Sequence, residues 1–276
     1  MCGRTSLFAA REDVEETFDA RIVADGGKAS SEGRSPSGRS SGPRGGETTS
    51  TETAEPSRGP REDSASRASS GLRSDGGYRP RYNIAPGEPL EVITNESPDG
   101  IDRFHWGLLP TWADDTGEGL INARAETAGE KRSFADAWES RPCLVLSSGF
   151  YEWRETGGGP KRPYRVYRED APAFAIAGLW EVWEAEDRTI PSVTILTTEP
   201  NELMEPIHDR MPVVLPRDEE AAWLTGGPEE RAELCRPYPD SDLDAYEIST
   251  RVNDPGNDDP RVIEPLGHEQ SGLDQF

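Results

Sequence analysis

The chain has 276 residues, with 53 Asp and Glu against 30 Lys and Arg and a formal net charge of −23. That length accommodates one or two domains. The longest apolar run, FAIAGLW at 174–180, falls far short of the roughly 20 residues a membrane-spanning helix needs. Positions 1–20 show no charged-then-apolar leader. The three cysteines, Cys2, Cys143 and Cys235, are too few and too scattered for a disulfide framework or a CxxC zinc site. The expectations are therefore a reduced, cytoplasmic protein with no membrane partner, no metal and no cofactor.

The charge is unevenly distributed. Residues 25–77 hold eight acidic and eight basic residues, so the rest of the chain carries the whole −23. Only three basic residues are Lys (Lys28, Lys131 and Lys161) and 27 are Arg. An acidic, Lys-poor surface suits a cytoplasm of molar salt, where the Debye length is about 3 Å and self-repulsion is screened. The composition thus points to an extreme halophile. Under such conditions long-range attraction to phosphate is lost for any protein. Net charge therefore does not exclude a nucleic-acid partner, because close Arg contacts and base stacking still operate.

In chain order, CGRTSLF reads as a short strand and 11–20 as a helix. Residues 25–77 contain 13 Ser, 11 Gly and only five apolar side chains. They cannot bury enough surface to offset chain entropy and read as a disordered insertion within one domain. Ordered composition resumes at Tyr78. Strand patterns follow at LEVIT (90–94), IDRFHWG (101–107), CLVLSSGFYEWRE (143–155), YRVYR (164–168), AFAIAGLWEVW (173–183) and SVTILTT (192–198). Helices are predicted at 133–140 with Ser133 as N-cap, at 218–224, and at 228–235 with Pro228 in the first turn. The predicted class is α+β: a β-rich, barrel-like core with peripheral helices, in a single domain over 1–265 interrupted by 25–77. Residues 266–276 read as a flexible C-terminal tail.

Four residues stand out chemically. Cys2 follows the initiator Met1; if Met1 is removed, thiol and α-amine sit on adjacent carbons. Their reference pKa values of about 8.5 and 8 leave both partly nucleophilic at neutral pH. Such a pair traps an aldehyde as a Schiff base and then a thiazolidine. Read alone, Cys2 is equally an incidental strand residue. Glu152 lies in the apolar, aromatic run GFYEW, where desolvation would raise its pKa toward proton transfer; read alone, it is equally a strand-edge side chain facing solvent. His208, in PIHDRMP, has the ring suited to acid/base work near neutral pH, or is a structural loop histidine. Asn122 and Arg124 share a face if INARAET is extended. Asn can orient a carbonyl or hydroxyl and Arg can fork onto phosphate, unless Arg124 merely pairs with Glu126. Trp106, Trp112, Trp138 and Trp153 are stacking candidates, with Arg4, Arg81, Arg124 and Arg132 the nearest basic residues. P-loop, HExxH and GxGxxG signatures are absent.

These segments together resemble the SOS-response-associated peptidase family. The matching stretches are MCGR (1–4), RYNIAPG (81–87), WGLLPTWA (106–113), INARAET (121–127), RPCLVLSSGFYEW (141–153), FAIAGLWE (174–181), TILTTEPN (194–201), IHDRMPVVL (207–215) and ISTRVND with the later IEP (248–265). They occur in family order. The resemblance implies a sensor of abasic sites in single-stranded DNA. Its nucleophile is Cys2, exposed after self-removal of Met1. Asn122 would orient Cys2 and the open sugar. Glu152 would serve as acid/base, and His208 would help open the sugar and reverse the link. Arg4, Arg124 and Arg132 match positions that hold DNA phosphates, and Pro86 and Trp112 match positions near the kinked strand. The implied protein is a monomer, nucleoid-associated when bound to DNA. Ala113 stands where some relatives carry a second aromatic, and Ser148 where an acidic residue is common. Two other classes of function fit the same residues. One is a cysteine hydrolase acting on peptides or amides in trans, and the other a non-catalytic binding module.

A surface insertion of this composition is tolerated at little cost, because loop-closure entropy grows slowly with length. Removing residues 26–76 is expected to shift the melting temperature by no more than about 2 °C and to leave DNA cross-linking intact. Thermal unfolding and a denaturing gel of the shortened chain check this.

Overall fold

The computed structural model describes residues 3–23, 77–114, 117, 119–185 and 188–267. Cys2, most of the 25–77 insertion, His268 and the tail beyond 267 lie outside the described residues. Contacts divide the chain into one unit of Met1–Val23 with Tyr78–Phe276 and a second of Ala24–Gly77. Only the first is described below.

The strands in chain order are β1 (Thr5–Leu7), β2 (Arg21–Ile22), β3 (Arg81–Ile84), β4 (Pro89–Thr94), β5 (Ser97–Trp106), β6 (Asn122–Arg124), β7 (Pro142–Ser147), β8 (Gly149–Arg154), β9 (Arg162–Tyr167), β10 (Phe174–Ala185), β11 (Arg188–Thr198), β12 (Met211–Pro212), β13 (Val214–Leu215) and β14 (Asp244–Glu247). The α-helices are α1 (Arg11–Phe18), α2 (Ala125–Ala128), α3 (Ala135–Ser140), α4 (Glu220–Thr225) and α5 (Pro228–Leu234).

Strands β5, β4, β7, β10 and β11 follow one another edge to edge, and β11 then pairs with β5 in parallel through Ser192↔His105 and Val193↔Trp106. That last pairing closes a five-stranded barrel and removes the open edges. Burial on both faces explains why β7 and most of β10 read as continuous apolar runs rather than as an alternation. Trp106, Leu90, Ile93, Val145, Ile176, Val193 and Ile195 are all essentially inaccessible to solvent. A second, antiparallel sheet has the order β14-β9-β8-β1-β3. The α+β, barrel-centred reading is therefore what the chain adopts. α4 and α3 pack on β7 and the neighbouring barrel wall, where Trp223 donates from Nε1 to the Cys143 carbonyl at 2.9 Å and meets Trp138 edge-on.

Three details differ from the sequence reading. The helix predicted from 133 starts at Ala135 behind Phe134, and no side chain caps it, so Ser133 is not its N-cap. The run 143–155 is two strands, because the chain turns out of the barrel at Ser148 and Gly149 and enters the second sheet. Strands β2, β3, β12, β13 and β14 and the short helix α2 were not foreseen; none exceeds four residues.

Gly149 makes the turn possible. Its φ is +151°, and a Cβ there would stand 2.8 Å from the Val166 carbonyl oxygen. Gly149→Ala is expected to cost about 1–3 kcal/mol through backbone strain, and more if β9 has to shift. Denaturant unfolding checks this, and an unchanged midpoint would show that the turn tolerates a side chain.

Candidate active site

Glu152 follows Gly149 by three residues on β8, a strand flanked by β1 and β9. Its side chain is only 2% exposed. The reading of Glu152 as a solvent-facing edge residue is thus excluded. Loss of hydration disfavours the carboxylate, and burial pushes its pKa up from 4.5 to about 7.

His208 reaches the same spot from a turn between β11 and β12. Asn201 starts that turn by accepting the Met204 N–H at 2.9 Å, and the His208 N–H donates to the Met204 carbonyl at 2.8 Å. His208 Nε2 lies 3.9 Å from Glu152 Oε2. Its Nδ1 accepts the Arg210 backbone N–H at 3.0 Å, which leaves the proton of the neutral ring on Nε2, toward Glu152. The Asp209 carboxylate stands 2.8 Å from the same Nδ1. Burial lowers the His208 pKa, and Asp209 opposes that effect. The pair therefore holds two groups able to exchange protons near neutrality. Beside it opens a cavity of about 390 Å³ lined by Trp153, Lys161, Pro206, Ile207, His208 and Asp209, among others.

Asn122 sits at the start of β6, which pairs in parallel with β11 through Ile195↔Asn122 and Thr197↔Arg124. Asn122 is half-buried and Arg124 exposed. The direct partner of Glu126 is not Arg124 but Arg210, which its carboxylate binds through two bonds of 2.8 Å. The structure thus brings Glu152 and His208 into one site and sets Asn122 on β6, alongside the barrel strand β11.

Arg4 is held from three sides. Its guanidinium donates to Asn83 Oδ1 at 2.7 Å and to the carbonyls of Val252 and Asn253 at 2.5 and 3.4 Å. Its own carbonyl accepts the Tyr151 N–H at 3.0 Å, which extends the β1–β8 pairing to the residue before Glu152. Pro86, Trp112, Arg124 and Arg132 are all exposed. Trp112 is 47% accessible, and the Arg132 guanidinium lies 4.3 Å from its ring centroid. The Trp112 loop is tethered by Trp183 Nε1, which donates to the Ala113 carbonyl at 2.9 Å. By contrast Trp106 is fully buried and Trp138 nearly so; both are core residues. Among the described residues no group of three or more His, Cys, Asp or Glu side chains is placed to hold a metal ion.

Sequence reasoning did not single out Asn83, Trp183 or Arg210. Each lies inside or beside a recognised motif, but only its long-range partner gives it a role.

The chain is thus of the class that joins a closed barrel to an antiparallel sheet, with a buried carboxylate facing a partly exposed imidazole beside a cavity. Residues 47–255 match the family described as SOS response associated peptidase (SRAP). The chain is 42% identical over 197 residues to the abasic site processing protein YoqW of Bacillus subtilis (strain 168), covering 69% of this chain and 88% of that protein. It is 39% identical over 200 residues to the abasic site processing protein YoaM of the same organism, covering 70% and 88%. A crystal structure of a protein from Bacteroides thetaiotaomicron superposes with a TM-score of 0.62 at 32% identity, covering 67% of this chain and 85% of that one. The protein belongs to the SRAP family.

The raised pKa has a consequence for stability. Glu152 keeps its proton to about pH 7 in the fold but releases it near 4.5 when unfolded. The unfolded state therefore binds fewer protons between those values, and the fold loses stability as pH rises through that window. Glu152→Gln removes the penalty. Its stability relative to the natural protein is expected to rise by on the order of 2–3 kcal/mol between pH 4.5 and 8. Denaturant unfolding at both pH values measures this, and a difference independent of pH would rule out a buried, proton-holding carboxyl.

Proposed function

We propose that this protein is an abasic-site sensor that becomes covalently joined to single-stranded DNA through Cys2 after removing its own Met1. Membership of a family whose curated relatives are named abasic site processing proteins supports the reading. The single observation that carries it is the buried Glu152 placed 3.9 Å from His208, beside the strand that leads to the chain's amino terminus. Arg4 is bonded to Tyr151, and Cys2 is two residues earlier, within a covalent reach of about 7 Å.

The chemistry balances with these groups alone. Hydrolysis of the Met1–Cys2 peptide bond consumes one water and frees methionine and a new α-amine. A carboxyl with a pKa near 7 accepts a proton from the attacking group and returns it to the leaving amine. The abasic sugar exists partly as a ring-opened aldehyde; opening breaks the C1′–O4′ bond as the C1′ hydroxyl proton passes to ionised Glu152, and the Nε2–H of His208 hydrogen-bonds the departing O4′, which takes up a proton from water. The Cys2 amine adds to the aldehyde carbon. Proton donation from Glu152 lets the resulting hydroxyl leave as water, giving a Schiff base. The Cys2 sulfur then bonds to the same carbon, its proton passes to nitrogen, and a thiazolidine results. Holding thiol, amine and both proton carriers around one carbon supplies the near-attack geometry. A flipped-out or single-stranded sugar is required because the aldehyde must be reachable.

The exposed Pro86, Trp112, Arg124 and Arg132 offer stacking and forked phosphate contacts that survive high salt because they act at short range. The acidic, Lys-poor composition supports a molar-salt cytoplasm as the working compartment, and assays belong in molar KCl.

Purified protein and its Cys2→Ala variant, mixed with an oligonucleotide bearing one abasic site, are expected to differ completely on a denaturing gel: a shifted band for the first and none for the second. Glu152→Gln is expected to retain Met1 by mass spectrometry and to cross-link at least about tenfold more slowly. Absence of a band from folded protein that has lost Met1, together with turnover of peptides, would favour the hydrolase reading instead.

A further inference from the structure

We infer that Arg210 is a positioning residue that locks the Asn122 strand and the His208 turn into one register; this rests on the cross-linking function proposed above. Glu152, His208 and Asn122 come from three separate elements, and something must fix their spacing. Glu152 is set by β8. His208 and Asn122 are both anchored to the last turn of the barrel hub, β11. On one edge Thr197 and Thr198 pair with Pro212 and Met211 of β12, just past His208. On the other edge Thr197 is opposite Arg124 of β6, just past Asn122.

Arg210 joins these edges. Its backbone N–H donates to His208 Nδ1 at 3.0 Å and so selects the ring nitrogen that carries the proton. One guanidinium nitrogen, Nη2, donates at 2.6 Å to the Thr197 carbonyl. Nη1 and Nη2 each donate at 2.8 Å to one oxygen of Glu126, the second residue of α2, which begins directly after Arg124. The Arg210 side chain is 13% exposed and Glu126 46%. The fork holds the Glu126 carboxyl below its ordinary pKa. A single residue therefore determines the His208 tautomer through its main chain and ties down the Asn122 segment through its side chain. Lysine keeps the charge but has no planar fork, so it cannot hold both oxygens and the carbonyl together.

Two measurements test this on the full chain. The first is the cross-linking rate of the natural protein and of Arg210→Lys, Glu126→Gln and the double variant, followed against protein concentration with an abasic single-stranded oligonucleotide. The limiting rate is expected to fall about tenfold to a hundredfold for Arg210→Lys, with the half-saturating concentration unchanged within about twofold. The double variant is expected to be no slower than Arg210→Lys, because both changes break one connection. Equal limiting rates in folded variants, or losses that multiply in the double variant, would overturn the inference. If Arg210→Lys does not fold, the same comparison on Glu126→Gln, a half-exposed site, decides.

The second measurement is the side-chain nitrogen NMR spectrum, simple in a chain with three histidines. It reads positioning without any DNA. His208 is expected to be protonated on Nε2 in the natural protein and to become a tautomer mixture in Arg210→Lys and Glu126→Gln. A natural protein that shows this tautomer but no cross-link would overturn the function while leaving the brace; an unchanged tautomer in both variants would overturn the brace alone.

Discussion

A carboxyl group withdrawn from water is the feature around which this fold is arranged. Burying an ionised carboxylate costs several kcal/mol after relaxation, and the protein meets that cost by letting Glu152 keep its proton up to about pH 7. Such a group cannot sit on a fraying edge. β8 is flanked by β1 and β9, and Gly149 turns the chain so that the strand leaves the barrel and enters the second sheet. The imidazole of His208 then meets the carboxyl from a different part of the chain.

The barrel contributes rigidity rather than chemistry. β11 is its hub: β10 and β12 lie on one edge, β5 and β6 on the other. Its final residues therefore hold both the segment that presents Asn122 and the one that follows His208. The second sheet contributes the approach of the amino terminus. Asn83, fully buried, accepts from Arg4 and donates toward the carbonyls of Val252, Asp254 and Asn257. The segment after β14 is thus a strap that fixes the N-terminal strand against β8. Catalytic precision in the proposed reaction comes from two independent braces, this strap and the Arg210 fork.

The electrostatics divide by range. A chain of net charge −23 repels phosphate at long distance. In molar salt that repulsion is confined to a few ångströms, and what remains is contact. The exposed Trp112 with Arg132 over its ring is a contact device of that kind: stacking area and a cation held on a short tether. The Trp183 bond to Ala113 places that device on the barrel hairpin rather than on a loose loop.

Much of this was legible in the residues. Continuous apolar runs marked the barrel strands, and Pro228 marked the start of α5. The motifs around Cys2, Asn122, Glu152 and His208 pointed to the family. Short strands such as β3 and β14 were not legible, because four residues carry too little pattern. Nor could local sequence place Glu152: residues 150, 152 and 154 share a face that an isolated strand would leave open to water. Arg124 and Glu126 are neighbours on paper, yet Glu126 binds Arg210, 84 residues away. Arg4 is bonded to Val252, 248 residues away. The sequence by itself determined which chemical groups are present, the order of the motifs and the strand-rich core, since these follow from side-chain chemistry and hydrophobic periodicity. Only the tertiary structure decided which carboxyl is buried, which nitrogen of His208 carries the proton and what braces the site, because burial and hydrogen bonding arise between segments that only the closed barrel and its companion sheet bring together.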